Sequence, residues 1–228
     1  MVAAQPTAAP GATARGRRFY EEVKGPMTTV NEISAKQVAE LRAKTGAGMM
    51  DCKKALEEAG GDARKAEEVL RVKYAARAEK RSDRAAGQGV IEIYLHFNGK
   101  VATMVELNSE TDFVANTPEF HQLAKDIALH VASAKPIAVR VEDVPAEVVE
   151  RERRVYRAQV AEEKKPDAVK EKIVEGKLKK FYQDNVLLEQ PFVKDDKLTV
   201  GDLVKAMSGK TGEKVEVRRF ARFELGGN

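Results

Sequence analysis

The chain has 228 residues, enough for one large domain or two small ones. An apolar content of 43% supports a core that must be mostly aliphatic, because tryptophan is absent and aromatics make up 6%, and a charged content of 33% points to much solvated helix surface. With 40 basic residues against 36 acidic ones, the charges are too mixed for a protein whose main work is coating nucleic acid, and no apolar run approaches the roughly 20 residues that span a bilayer.

Residues 1–26, which include AAQPTAAPGATARGRR, are rich in Ala, Pro and Gly, carry no acidic residue before Glu21 and cannot bury a core. Disorder is expected there and up to residue 32. An organelle transit peptide shares the Arg-rich, acid-poor bias but usually carries serine, and this stretch has none. An upstream start codon, with Met27 opening the protein proper, is the simpler reading.

Residues 33–72 read as a three-helix bundle like that of ubiquitin-binding modules. Ser34 and Gln37 form a capping box, Ile33 can staple onto Val38, and Val38 with Leu41 marks the buried face. Thr45-Gly46-Ala47-Gly48 breaks this helix. A second starts near Met49 with Cys52, Ala55, Leu56 and Ala59 at helical spacing. Gly60-Gly61 stops it, and Asp62 caps a third that buries Ala66, Val69 and Leu70. Residues 73–88 are charged and read as a solvated linker helix.

Residues 89–228 form the remaining unit. Val90–Phe97 and Lys100–Asn108 flank Asn98-Gly99, a strong two-residue hairpin signal, which sets Ile93 opposite Met104 and Leu95 opposite Ala102. That pairing gives one apolar face suited to packing. Thr117-Pro118 opens a helix striped with Phe120, Leu123, Ala124, Ile127, Ala128 and Val131. Residues 145–184 read as an antiparallel helical hairpin turning at Lys165-Pro166-Asp167, with Glu147–Arg151 and Glu150–Arg154 at four-residue spacing. Thr199 with Asp202 caps a last helix, and Val215, Val217, Ala221, Phe223 and Leu225 alternate as a final strand. The class is α+β, with a small antiparallel sheet packed on helices.

No phosphate-binding loop, no nucleophile beside a histidine and no metal-ligand spacing occurs. Cys52 is the single cysteine, so neither an intrachain disulfide nor a multi-thiolate zinc site can form, and His96, His121 and His130 show no metal spacing with it. No cofactor and no bond-making chemistry are expected. One segment resists a scaffold reading: Glu106 to Asn116, ELNSETDFVAN, leaves a strand and presents Asp112, Phe113 and Val114 before the next helix cap. An acidic residue beside a large apolar one suits insertion into a partner; the alternative folds Phe113 into the core and lets Asp112 cap a turn.

The stretch Leu41–Leu56, LRAKTGAGMMDCKKAL, resembles the amino-terminal signature of the elongation factor Ts family almost residue for residue, and ELNSETDFVAN resembles its second signature. Gln190-Pro191-Phe192-Val193 and VRRFARFEL, Val217–Leu225, are similar to the same family, so the resemblance spans roughly residues 33–226. It implies a guanine-nucleotide exchange factor that binds elongation factor Tu and speeds release of its GDP. Thr111, Asp112, Phe113 and Val114 match the segment that intrudes near the nucleotide's magnesium. Arg42, Met49, Met50 and Lys53 fall in the bundle that grips the partner's nucleotide-binding domain. Adaptable methionines suit such an apolar contact, although Met49 equally suits a core.

Longer members of the family carry two related copies of the sheet-and-helix core, whereas this chain carries one. A sheet of about three strands with an apolar face and an unpaired edge needs a partner. The final strand offers Val217, Ala221 and Phe223 on one side and Phe220 on the other. A homodimer is therefore expected, unless the helical hairpin folds back over the second face. Two other functions compete: a peptide-binding module, from the small bundle alone, and an RNA-associated ribosomal factor, from Arg77, Lys80, Arg81 and Arg84. A bacterial cytoplasmic setting is expected, with organelle import if residues 1–26 are a transit peptide.

Overall fold

The structure, a computed structural model, describes residues 33–227. The N-terminal extension expected to be disordered lies outside those residues. Ser34 starts helix α1, Ala35–Thr45, through a complete capping box: its backbone N–H donates to Gln37 Oε1 at 2.9 Å, and Gln37 N–H donates to Ser34 Oγ at 3.2 Å. Such a cap stabilises a helix by about 1 kcal/mol. Gly46 ends α1 in the left-handed region at φ 65°, where a side chain would be strained. Helix α2 spans Met49–Glu58, and Asp62 opens α3, Ala63–Glu79, by accepting from the Arg64 and Lys65 amides. Val38, Leu41, Cys52, Leu56, Ala66 and Leu70 form the bundle core.

The expected boundary between bundle and linker helix, at residues 72 and 73, falls inside α3. The helix continues because Tyr74 is buried and belongs to the bundle core. Tyr74 also joins the bundle to the rest of the chain. It lies against Gly209, where an added Cβ would stand 2.4 Å from Tyr74 Cβ.

Strands β1, Gln88–Leu95, and β2, Val101–Ser109, form the expected antiparallel hairpin, with Ile93 opposite Met104 and Leu95 opposite Ala102. Strand β5, Val215–Glu224, pairs with β2 and gives a three-stranded sheet in the order β1-β2-β5. The Ile93–Met104 face is not the core face. Val105 and Leu107 point the other way, onto helix α5, Pro118–Ala134, where all six residues of the expected stripe are buried. The Thr103 hydroxyl donates to the Ala128 carbonyl at 2.8 Å and fixes that packing. Both faces of the hairpin are apolar, so alternation alone could not rank them.

A bulge corrects the expected facing of the last strand. Glu106 pairs with Arg219 and Leu107 with Val217, which leaves Arg218 unopposed. The extra residue reverses the alternation, so Val217 and Phe220 face the core while Phe223 points outward. Phe223 thereby joins Ile91, Ile93, Leu95 and Met104 on the outer face, and these five remain 44–69% exposed. The helical hairpin does not cover them.

That hairpin consists of α6, Ala146–Ala161, and α7, Asp167–Asn185, closed over Val160, Val174 and Leu178. The expected pairs Glu147–Arg151 and Glu150–Arg154 are absent among the ion pairs of the described residues. Arg153 instead reaches Glu175 at 3.4 Å and Arg157 reaches Glu171 at 2.8 Å, because the facing helix brings carboxylates within range of these long side chains. Exposed pairs of this kind contribute about 0–1 kcal/mol.

Gln190 ties the hairpin to the sheet-bearing half. Its Nε2 donates to the Ala134 and Asp184 carbonyls, at the C-terminal ends of α5 and α7. Its Oε1 accepts from Nε2 of buried His130 at 3.0 Å, and His130 Nδ1 accepts from the Val193 amide at 3.2 Å. Those two contacts fix a neutral imidazole, and burial lowers its pKa from the usual 6.5. Phe192 packs 6.0 Å from the imidazole in the short strand β3, Pro191–Phe192, which pairs with β4, Asp195–Thr199. The Thr199–Asp202 capping box then opens α8, Val200–Thr211.

Candidate partner-binding site

Beyond β2 the backbone turns sharply, with Ser109 Oγ donating to the Thr111 carbonyl at 2.8 Å. Thr111 then caps a four-residue helix, α4, Asp112–Ala115, its hydroxyl accepting from the Val114 amide at 3.4 Å. One turn of helix divides the segment by direction. Val114 and Ala115 are buried in the main core, whereas Asp112 is exposed and Phe113 is 82% exposed. The core alternative for Phe113 is therefore overturned. Val114, expected beside it at the partner surface, is instead the anchor on which the projecting pair is mounted. Leaving a phenylalanine outside forgoes about 2 kcal/mol of burial.

The segment is fastened from two sides. Thr111 donates its amide to Glu213 Oε2 at 3.0 Å and its hydroxyl to Glu213 Oε1 at 2.7 Å. In return the Lys214 amide donates to Glu110 Oε1 at 2.6 Å, and Arg84 pairs with the same carboxylate at 3.3 Å. Glu110 lies in the segment that the sequence singles out but carries no assigned role there, and sequence reading missed Glu213 and Lys214.

A second exposed patch stands on the bundle. Met49 and Met50, 55% and 63% exposed, occupy the first turn of α2 and are not core residues. Arg42 and Lys53 are exposed as well. Asp51, in the same turn, faces inward and accepts both Arg77 nitrogens at 2.8 Å and the Tyr74 hydroxyl at 3.3 Å. The Arg77 guanidinium holds the Asp51 carboxyl below its usual range, and burial, with Asp51 nearby, pushes the Tyr74 phenol up to about 12. Asp51 is thus the brace that fixes the methionine-bearing turn to α3.

Arg42, Gly48 and Met49 line a cleft of about 580 Å³, closed on its far side by Glu119 of α5 and Lys210 of α8. Lys210 Nζ lies 3.6 Å from Glu119 and against Gly46, where an added Cβ would meet it at 2.8 Å. Glu119 belongs to the helix directly after α4. The cleft therefore runs from the methionine turn toward the element that follows Phe113.

Among the described residues no group of three or more His, Cys, Asp or Glu side chains is placed to hold a metal ion. No helix there is long and apolar enough to cross a membrane. In the basic run, Arg77 is taken by Asp51, Arg81 donates to the Arg77 carbonyl, and Arg84 pairs with Glu110. Three of the four cations offered for RNA are thus engaged within the chain.

A family model described as "Elongation factor TS" matches residues 13–227. The chain is 55% identical over 194 residues to "Elongation factor Ts" of Carboxydothermus hydrogenoformans, covering 85% of this chain and 89% of that protein. It is 55% identical over 195 residues to the protein of the same name from an Anaeromyxobacter species, covering 86% and 89%. For that of Thermotoga petrophila the identity is 52% over 195 residues, covering 86% and 97%.

Proposed function

We propose that this chain, which belongs to the elongation factor Ts family, binds elongation factor Tu in its GDP-bound and nucleotide-free forms and promotes GDP release during translation elongation. The observation that carries the reading is the exposed Asp112–Phe113 pair on a helix turn whose other half is anchored in the core. Membership of the family and the bacterial relatives support the exchange role and a cytoplasmic setting.

The physical route is displacement. Magnesium demands near-ideal octahedral oxygen coordination, so a small shift of the partner element that holds it weakens nucleotide binding. Phe113 supplies an apolar group that gains by burial in the partner, and Asp112 supplies a carboxylate beside the metal's ligands. Arg42, Met49, Met50 and Lys53 grip the nucleotide-binding domain, with the methionines adapting to an apolar contact. Exchange obeys linkage: a protein that weakens nucleotide binding is itself held less tightly when nucleotide is present, so it cycles off. No bond-making residue is needed.

The chain acts as a homodimer in this reading. The exposed sheet face of Ile91, Ile93, Leu95, Met104 and Phe223 is the surface that a second copy covers, restoring two core copies per complex.

Asp112→Ala combined with Phe113→Ala tests the displacement. Both side chains are exposed, so the melting temperature should hold while GDP release from saturated complex slows by about tenfold or more. Normal release by the double variant would overturn it.

A further inference from the structure

We propose that Glu213 is the positioning residue of the Asp112–Phe113 wedge, fixing where that pair stands relative to the methionine grip. The inference rests on the exchange reading above and extends it to a residue outside both family signatures.

Glu213 sits in the turn between α8 and β5, and that turn is tightly built. Gly212 closes α8 in the left-handed region at φ 78°, its amide donating to the Ser208 carbonyl at 3.0 Å. The buried Ser208 hydroxyl donates to the Glu213 carbonyl at 2.6 Å, and the Thr211 hydroxyl donates back to the Met207 carbonyl at 2.9 Å. The Glu213 backbone is thereby held, and its carboxylate spans the Thr111 amide and hydroxyl. The exchange is mutual, because the Glu110 carboxylate accepts from the Lys214 amide. Two turns about a hundred residues apart in sequence each bind the other's backbone through a carboxylate.

The bonded residue is the cap of α4. Asp112 and Phe113 follow it directly, so the orientation of Thr111 sets the direction of both side chains. The Ser109 hydroxyl also holds the Thr111 carbonyl, but no side-chain packing restrains the outer half, since Phe113 makes no core contact and, within α4, only Val114 and Ala115 are buried. The other end of the same strut faces the grip. Gly209 packs on Tyr74 of the bundle, and Lys210 lies between Gly46 and Glu119. Within six residues, Gly209–Lys214, the end of α8 touches both the bundle that carries Met49 and the cap that aims Phe113. A wedge and a grip that must engage one partner together need a fixed spacing, and this segment supplies it.

The test compares Glu213→Ala, Glu213→Gln and the natural chain in release of labelled GDP from elongation factor Tu, alongside amide hydrogen exchange of residues 114–116. Glutamine keeps a carbonyl for the Thr111 amide and an NH2 that can donate to its hydroxyl, so it rescues a geometric role. In Glu213→Ala the saturated release rate should fall about tenfold while the half-saturating concentration stays within about twofold. The Val114, Ala115 and Asn116 amides, which bond to Thr111 and Asp112, should exchange faster in that variant and stay protected in Glu213→Gln. A natural release rate in Glu213→Ala would overturn the proposal. So would a lost rate with unchanged amide exchange, or a raised half-saturating concentration at an unchanged rate. Failure of the exchange reading is separable, because the natural chain would then leave GDP release at its spontaneous rate, whereas failure of the wedge alone would appear as normal release by the Asp112→Ala, Phe113→Ala double variant.

Discussion

Replacing Ile93 with aspartate puts a carboxylate in the middle of the exposed sheet face. Ile91, Ile93, Leu95, Met104 and Phe223 each leave more than two-fifths of their surface open, roughly 100 Å² apiece, which on burial is worth about 2.5 kcal/mol per side chain. Two copies meeting through this face would gain on the order of 25 kcal/mol, against association costs of about 4–15 kcal/mol. The surplus supports a dimer at micromolar concentration. Because the interface is two-fold, Ile93→Asp acts twice. It removes about 5 kcal/mol of burial and buries two carboxylates at several kcal/mol each, a loss of the same size as the surplus. Light scattering should therefore give twice the chain mass of 25.1 kDa for the natural protein and the single mass for Ile93→Asp. The variant's melting behaviour as a monomer should be intact, since the position is exposed in one chain. A doubled mass for Ile93→Asp would show that another surface joins the copies, and a single mass for the natural chain would remove the dimer.

Met49→Ser with Met50→Ser should weaken binding to elongation factor Tu and leave the saturated GDP-release rate nearly unchanged; a lower saturated rate at constant affinity would reverse the roles of grip and wedge. Asp51→Asn removes the charge that Arg77 brackets, and because that guanidinium is partly exposed the loss should be about 1–2 kcal/mol, read as a lower melting temperature. Gly209→Ala forces a Cβ to within 2.4 Å of Tyr74 Cβ, so α8 must retreat at a cost of about 1–3 kcal/mol, again seen by thermal unfolding. His130 is neutral in the fold with a lowered pKa, so its contribution to stability is complete above about pH 6.5 and is lost as pH falls below that toward the lowered value. Melting curves between pH 7.5 and 5.5, on the approximate scale where histidine titrates, should show that loss, and His130→Gln should flatten it.

Capping residues and the hairpin turn made much of the fold legible in the sequence. Ser34 with Gln37, Asp62, Thr117-Pro118, Thr199 with Asp202, and Asn98-Gly99 all act within four residues, and each one marks the element it was expected to mark. What escaped depends on distance or on parity. The bulge at Arg218 shifts the alternation of β5 by one residue, and nothing in VEVRRFARF announces it. The apolar face of Ile93 and Leu95 has the same pattern as a core face, and which face α5 covers is a tertiary outcome. The continuation of α3 past residue 72 turns on Tyr74 meeting Gly209, far along the chain. At the site, Asp112, Phe113, Met49 and Met50 were legible as exposed oddities within family signatures. Glu213 was not, because its partner is Thr111 and no local spacing links them.

The exchange role itself is tested most directly by loading cognate elongation factor Tu with labelled GDP and following its release with excess unlabelled nucleotide. Catalytic amounts of the natural chain should speed release by orders of magnitude, saturating with partner concentration and needing no energy source. Release at the spontaneous rate, with the chain folded and present above micromolar concentration, would contradict the account.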